Sequence, residues 1–191
     1  MLKILFITGN KNKVQEALEI LAEYTIKLEQ CELLKPEIQD DNIENIALNA
    51  AVQISTKINN FFVVEDDGLF LNEFKGFPGP YTSYAFKTIG IPGILKLCSF
   101  CTTRRAQFRS ALALYMDGKI KVFNGAVSGI ISATPLGNMG FGFDPIFIPD
   151  TSDKTFAQMS LKEKSQISHR AVAFRTMANY LANYYRSTTN P

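Results

Sequence analysis

The run Glu65-Asp66-Asp67 places carboxylates on consecutive residues, directly after the apolar stretch Phe61-Phe62-Val63-Val64. Neighbouring like charges repel and raise one another's pKa, so such a run calls for a cation or for water around it. A hard divalent cation such as Mg²⁺ takes oxygen ligands and bridges them to phosphates. Ligands of α/β sheets also gather at the carboxyl ends of strands, which is where this reading puts the acids. An acidic turn facing water fits the same residues equally well. Glu37, in Pro36-Glu37-Ile38-Gln39, becomes interesting only if folding carries it to Asp66 as a second Mg²⁺ ligand. Alone it reads as an exposed glutamate.

Two further groups could serve a nucleotide. Thr8-Gly9-Asn10-Lys11-Asn12-Lys13 is a polar turn between an apolar run and a helical pattern. Backbone N–H groups at a helix start, with Lys13, suit a polyphosphate. The Gly-x-x-x-x-Gly-Lys spacing of a P-loop is absent, and taken alone the segment reads as a plain strand-to-helix turn. Gly140-Phe141-Gly142-Phe143-Asp144 carries aromatic rings and a carboxylate on a glycine-flanked loop, with Lys164 and Ser168-His169-Arg170 downstream. Phe141 or Phe143 could stack on a nucleobase, a contact worth roughly 1–3 kcal/mol in single-strand binders. Asp144 could accept from a base N–H, and Lys164 or Arg170 could donate to an exocyclic oxygen. Core packing is the ordinary role for either phenylalanine, and capping is the ordinary role for His169 at a helix start. With a single histidine and Cys31, Cys98 and Cys101 scattered, the chain lacks the donors of a His/Cys zinc site. Cys98-x-x-Cys101 reads as a pair of free thiols.

These residues need elements to hold them. Leu2 to Ile7 reads as a strand, and Val14, Ala17, Leu18 and Leu21 outline a helix after it. Tyr24 to Leu34 reads as a second strand. Ile43, Ile46, Ala47, Ala50, Ala51 and Ile54 mark a second helix. Phe61 to Val64 has the look of a strand buried on both faces, ending at the acidic run. Lys75 to Tyr84 reads as a structured loop, and Pro92 opens a helix running to about Ser99. Asp117-Gly118 joins two long β-like segments as a hairpin. Thr134 to Gly142 is a loop and Pro145 to Pro149 a short strand. Ser168 caps a last helix with the stripe Ala173, Met177, Tyr180, Leu181 and Tyr184. The expected fold class is therefore α/β, a mixed sheet extended by a long antiparallel hairpin.

The 191 residues fit one domain, 1–191, and 46% hydrophobic residues suffice for a sizeable core. No apolar run reaches the roughly 18 residues of a membrane span, and the N-terminus lacks a signal-peptide cleavage site, so a cytoplasmic protein without membrane contact is expected. A net charge of +2 with dispersed Lys and Arg argues against a nucleic-acid partner.

The chain resembles the inosine triphosphate pyrophosphatase (XTP/dITP diphosphatase) family along nearly its whole length. The resemblance is carried, in family order, by Thr8-Gly9-Asn10-x-x-Lys13, Pro36-Glu37-Ile38-Gln39, Glu65-Asp66-Asp67-Gly68-Leu69, Gly76-Phe77-Pro78-Gly79-Pro80-Tyr81, Gly140-Phe141-Gly142-Phe143-Asp144-Pro145, Phe156-Ala157-Gln158-Met159, and Glu163-Lys164-Ser165 with Ser168-His169-Arg170. It implies an elongated α/β fold of two lobes flanking a cleft, a homodimer, and Mg²⁺-dependent hydrolysis of non-canonical purine nucleoside triphosphates (ITP, dITP, XTP) to monophosphate and pyrophosphate. By motif position, Thr8 to Lys13 would bind the triphosphate. Asp66 would be the catalytic residue and a metal ligand with Glu37 and Glu65, and Asp67 would contact substrate. Phe141, Gly142, Phe143, Asp144, Lys164, His169 and Arg170 would line the base pocket. The chain departs from the family at Phe143, where many members have Tyr or Trp, and at Gln158, Ser165 and Thr82. Asn49 stands where some members carry a substrate-contacting Lys. A broader nucleotide pyrophosphatase and a non-catalytic nucleotide sensor are the alternative readings.

Overall fold

A computed structural model describes residues 2–189. Its 7-stranded sheet has the order β2-β1-β3-β5-β6-β7, with β4 paired to β3. Strand β1 (Leu2–Ile7) lies parallel to both β2 (Ile26–Cys31) and β3 (Phe62–Leu71). Helices α1 (Lys11–Leu21) and α2 (Ile43–Ser55) make the crossovers. Strands β5 (Arg105–Met116), β6 (Lys119–Ile131) and β7 (Phe147–Pro149) then add in antiparallel fashion. The β5–β6 hairpin turns on Asp117 and Gly118, both at positive φ (51° and 74°), as expected of an Asp-Gly turn. The described residues form no helix long and apolar enough to cross a membrane.

Alternation along the strands assigns the faces. Ile4, Phe6, Val63, Leu112 and Leu114 pack against α1 and against α6 (His169–Thr189). Ile7, Phe62, Val64, Ala111 and Ala113 pack against the buried stripe of α2, the stripe read from its sequence. A third core gathers around the far ends of the long strands: Leu69, Leu71, Phe108, Phe147 and Phe156, with Ile94 of α4 (Gly90–Cys98). Strands β3 and β5 thus run from one lobe into the other.

Several local readings change. Strand β3 does not stop at the acidic run; it continues to Leu71, because β5 pairs with it without interruption from Tyr115 opposite Phe62 to Ala106 opposite Leu71. On α1, Leu18 is exposed and Ile20 is buried in its place. The segment read as a loop up to Tyr84 ends in strand β4 (Pro78–Gly79) and the start of helix α3 (Thr82–Thr88), and a further short helix, α5 (Leu161–Ile167), precedes α6.

The other edge of β3 explains where a site can form. Strand β1 pairs with β3 only as far as Ile7 opposite Val64. Strand β4 takes up that edge at Leu69 opposite Gly79. Between them, Glu65 to Gly68 have one edge without a neighbouring strand. The gap is kept narrow at its far end, since a Cβ on Gly68 would stand 2.2 Å from the Gly79 carbonyl oxygen.

Candidate active site

The gap opens into a cleft of about 630 Å³. Thr8, Gly9, Asn10 and Lys13 form one wall, Lys35, Glu37 and the acidic run of β3 the floor, and Pro80, Thr82, Phe86, Phe141 and Gly142 the opposite wall. A strand's alternation sorts the three adjacent carboxylates that looked so repulsive in sequence. Glu65 and Asp67 lie on the face of Val63, toward α1 and α6. Asp66 lies on the opposite face.

On the first face the charges are neutralised by a buried network. Arg170 Nε donates to Glu65 Oε1 and Oε2 at 2.9 and 3.0 Å, its Nη1 to Glu16 Oε2 at 2.6 Å, and its Nη2 to Asp67 Oδ2 at 2.9 Å. Lys13 pairs with Asp67 and lies 3.4 Å from Glu65. Ser110 Oγ donates to Glu65 at 2.7 Å. Such desolvated charges are tolerable only when each has partners, and here the partners set each charge state. Burial alone would push the Asp67 carboxyl up, but Lys13 and Arg170 hold it well below its usual range. Burial opposes the charge of Lys13 too, yet Asp67 and Glu65 raise it above its ordinary value. Glu16 likewise resists burial, because Arg170 and Lys164 lower it to about 2.

On the second face, Asp66 Oδ1 accepts from Lys35 Nζ at 3.2 Å, and Lys35 also lies 2.9 Å from Glu37 Oε1. Glu37 and Asp66 therefore meet through one ammonium, although they come from separate stretches of chain. Asp66 Oδ2 is buried and has no hydrogen-bond partner. Burial pushes the Asp66 carboxyl up to about 6 against the opposing pull of Lys35 and Lys13. Among the described residues, no group of three or more His, Cys, Asp or Glu converges as a ready metal cage. Glu65, expected beside Asp66 as a ligand, is turned to Arg170 on the other side of the strand. Glu37 and Asp66 do fit a hard cation: a positive charge already sits between their oxygens, and Asp66 keeps an unused one.

The turn after β1 is built by Asn10, whose side chain accepts from the Asn12 and Lys13 N–H groups at 3.0 and 3.4 Å. That cap uses two of the helix-start donors expected for phosphate. Thr8, Gly9, Asn10 and Lys13 face the cleft, whereas Lys11 is exposed and is not among its walls. Asn12 instead lines a second cavity of about 260 Å³, with Gln15, Glu16, Gly140, Phe141 and Lys164. Phe141 is the shared wall of the two. Lys164 Nζ lies 4.8 Å and the Arg170 guanidinium 5.7 Å from its ring centre.

Phe143 and Asp144 do other work than the sequence suggested. Phe143 is buried in the third core, edge-on to Phe86 at 5.3 Å. Asp144 is also buried; its Oδ2 accepts from the Phe141 N–H at 2.8 Å and from Lys164 Nζ at 2.7 Å. Burial outweighs Lys164 and leaves the Asp144 carboxyl above its usual value. Through Oδ2 this carboxylate ties the loop under Phe141 to Lys164. His169 stacks on Phe108 at 4.8 Å, with Nε2 3.7 Å from Asp67 Oδ2. Ser168 caps α6 as expected, accepting from the Ala171 N–H at 3.1 Å, and also donates to Glu16 at 2.7 Å. Asn49 lies on α2, where its Oδ1 accepts from Gln53, and is not among the cleft walls. Cys31, Cys98 and Cys101 are free. Sequence reasoning missed Glu16, Ser110 and Lys35. Glu16 had a signal, standing three residues after Lys13 on the same helical face; Ser110 and Lys35 had none.

Residues 4–180 match the model of the Ham1 family. The chain is 45% identical over 181 residues to a protein named dITP/XTP pyrophosphatase from Hyperthermus butylicus, covering 95% of each chain. It is 46% identical over 183 residues to a protein of the same name from Saccharolobus solfataricus, again covering 95% of each. Its fold is similar to that of a HAM1 protein from Coxiella burnetii, with a TM-score of 0.83 and 26% identity over 96% of this chain and 100% of the other.

Proposed function

This chain belongs to the Ham1 family, and from that premise we propose that it hydrolyses the non-canonical purine nucleoside triphosphates ITP, dITP and XTP between the α and β phosphates, giving the monophosphate and pyrophosphate. One observation carries the reading. A single cleft joins the polar turn Thr8 to Lys13, the carboxylates Glu37 and Asp66, and the ring of Phe141. Residues suited to phosphate, hydrolytic and base-stacking chemistry thereby line one cleft.

Both the attacking and the leaving side of this reaction carry negative charge, so positioning and charge neutralisation are the main tasks. Glu37 and Asp66 would hold Mg²⁺. When bound, that ion supplies charge against the triphosphate and makes water more acidic. Asp66 Oδ2, buried and without a partner, takes the proton of the water that attacks the α phosphorus. The bond from the α phosphorus to the bridging oxygen breaks, and pyrophosphate leaves against Thr8, Asn10 and Lys13. Asp67, itself held by Arg170, keeps Lys13 in place rather than acting on the phosphorus.

The base lies on Phe141, whose loop Asp144 holds from below. Lys164, which lines the smaller cavity beside that ring, is the donor suited to the 6-oxo oxygen of hypoxanthine or xanthine, whereas Arg170 is buried and committed to Glu16, Glu65 and Asp67. Adenine would bring an amino donor against the Lys164 ammonium and leave buried groups unpaired. The family reading also carries a homodimer, to be checked by light scattering, and a cytoplasmic location. The deciding assay is pyrophosphate release from ITP, dITP, XTP, GTP and ATP, with Mg²⁺ and with chelator. The proposal expects Mg²⁺-dependent release with kcat/KM for ITP about 10²-fold or more above ATP. Equal values for ITP and ATP would sink the base reading, and no pyrophosphate from any of them would sink the activity.

A further inference from the structure

Lys35 occupies a position for which the chemistry so far has no use. Its ammonium donates to the main-chain oxygen of Glu65 at 2.9 Å, on the open edge of β3. It lies 3.2 Å from Asp66 Oδ1 and 2.9 Å from Glu37 Oε1. The side chain is only 16% exposed, and it lines the cleft beside Thr8, Asn10 and Lys13. Two carboxylates and a carbonyl thus converge on one tethered positive charge. A divalent cation held by the same carboxylates would repel that ammonium at close range, so the two cannot share the position. The lysine has a flexible four-carbon stem and can leave without moving the backbone. The cleft into which it would turn is the one proposed to receive the triphosphate.

We infer that Lys35 is a resident counter-ion of the metal position. In the nucleotide-free protein it neutralises Glu37 and Asp66. It gives way when a divalent cation arrives with the triphosphate, and its ammonium then pairs with the phosphates. The inference rests on the metal-dependent reading above and adds two things to it. Metal and nucleotide enter together, because the empty site already carries its own cation. Lys35 also becomes a substrate-binding residue, which none of the motif positions assigned.

The test uses the whole protein, with Mn²⁺ titrated by electron paramagnetic resonance. Titrations are run without nucleotide and with an ITP analogue whose α–β bridging oxygen is an imido group. Lys35→Met keeps the stem and removes the charge, while Lys35→Arg keeps the charge; circular dichroism melting establishes that each is folded. Wild type should bind Mn²⁺ about tenfold or more tightly with the analogue than without it. Lys35→Met should bind Mn²⁺ alone about tenfold more tightly than wild type, and the analogue severalfold more weakly. Lys35→Arg should stay near wild type in both. A folded Lys35→Met protein with unchanged nucleotide-free Mn²⁺ affinity overturns the inference. If wild type meanwhile releases pyrophosphate from ITP, the enzyme reading survives that failure. If wild type binds Mn²⁺ in neither state and releases no pyrophosphate, the enzyme reading falls and the role of Lys35 with it.

Discussion

Asp66 is held in a state that favours chemistry over stability. Its neighbours Glu65 and Asp67 turn to Arg170 and Lys13, whereas Asp66 has only Lys35 and keeps Oδ2 unpartnered. Burial raises its carboxyl from 3.8 to about 6. For an acid whose folded pKa is raised, the folded state disfavours the charge. The penalty is absent below the unfolded value of 3.8 and is complete once the pH has risen through about 6. Asp66→Asn removes that charge. In the absence of divalent cations at pH 8, the variant should be more stable than the parent by on the order of 1 kcal/mol, the loss of the Lys35 contact offsetting part of the gain. Pyrophosphate release from ITP should fall by about 10²–10⁴-fold, as for loss of a general base. Urea unfolding and a turnover assay on the same preparation decide the matter. A variant that is less stable and still active would make Asp66 a structural residue.

Elements deliver these side chains with little freedom, and α6 is the clearest case. Its first turn carries His169 and Arg170 and rests directly on β6. A Cβ on Gly125 would stand 2.1 Å from the His169 carbonyl oxygen and 2.5 Å from the Ala173 nitrogen. Gly125→Ala should therefore push the helix start off the sheet, costing about 1–3 kcal/mol. The same shift would loosen Arg170 from Glu65, so turnover should drop along with the melting temperature. Unchanged stability and turnover would mean that the sheet yields at no cost. The sequence made α6 readable through Ser168 and the stripe Ala173, Met177 and Leu181, and it made α2 and the Asp117-Gly118 hairpin readable for similar reasons of period and turn chemistry. It hid the length of β3, because acids inside a strand look like its end until their counter-charges are known. The main counter-charge, Arg170, lies more than a hundred residues along the chain from Glu65 and Asp67. Phe143 misled for the related reason that Phe141 has the same side chain two positions away, and only the loop geometry separates the ring in the cleft from the ring in the core.

At the scale of the molecule, the buried charges tie together parts that the cores leave separate. Glu16 of α1 holds Arg170 and Ser168 at the start of α6 and lies 3.4 Å from Lys164 of α5, which in turn holds Asp144 beneath Phe141. The link has a pH dependence with a definite sign. Arg170 and Lys164 overcome burial and lower Glu16 from 4.5 to about 2. A lowered folded pKa gives stability that is fully present above 4.5 and is lost as the pH falls through about 2; a shift of this size corresponds to about 3 kcal/mol. Asp67, also lowered, acts in the same direction, and Asp144, raised, acts in the opposite one. Glu16→Gln isolates the Glu16 part. At pH 7 it should be less stable than wild type by about 3 kcal/mol, since Arg170 and Lys164 lose a charged partner. Between pH 5 and pH 3 wild type should lose stability more steeply than the variant, so that the two unfolding curves draw together. Urea midpoints at pH 7, 5, 4 and 3 measure this. Parallel curves would show that Glu16 carries its proton in the folded protein near the ordinary value, and the lobes would then be joined without help from its charge.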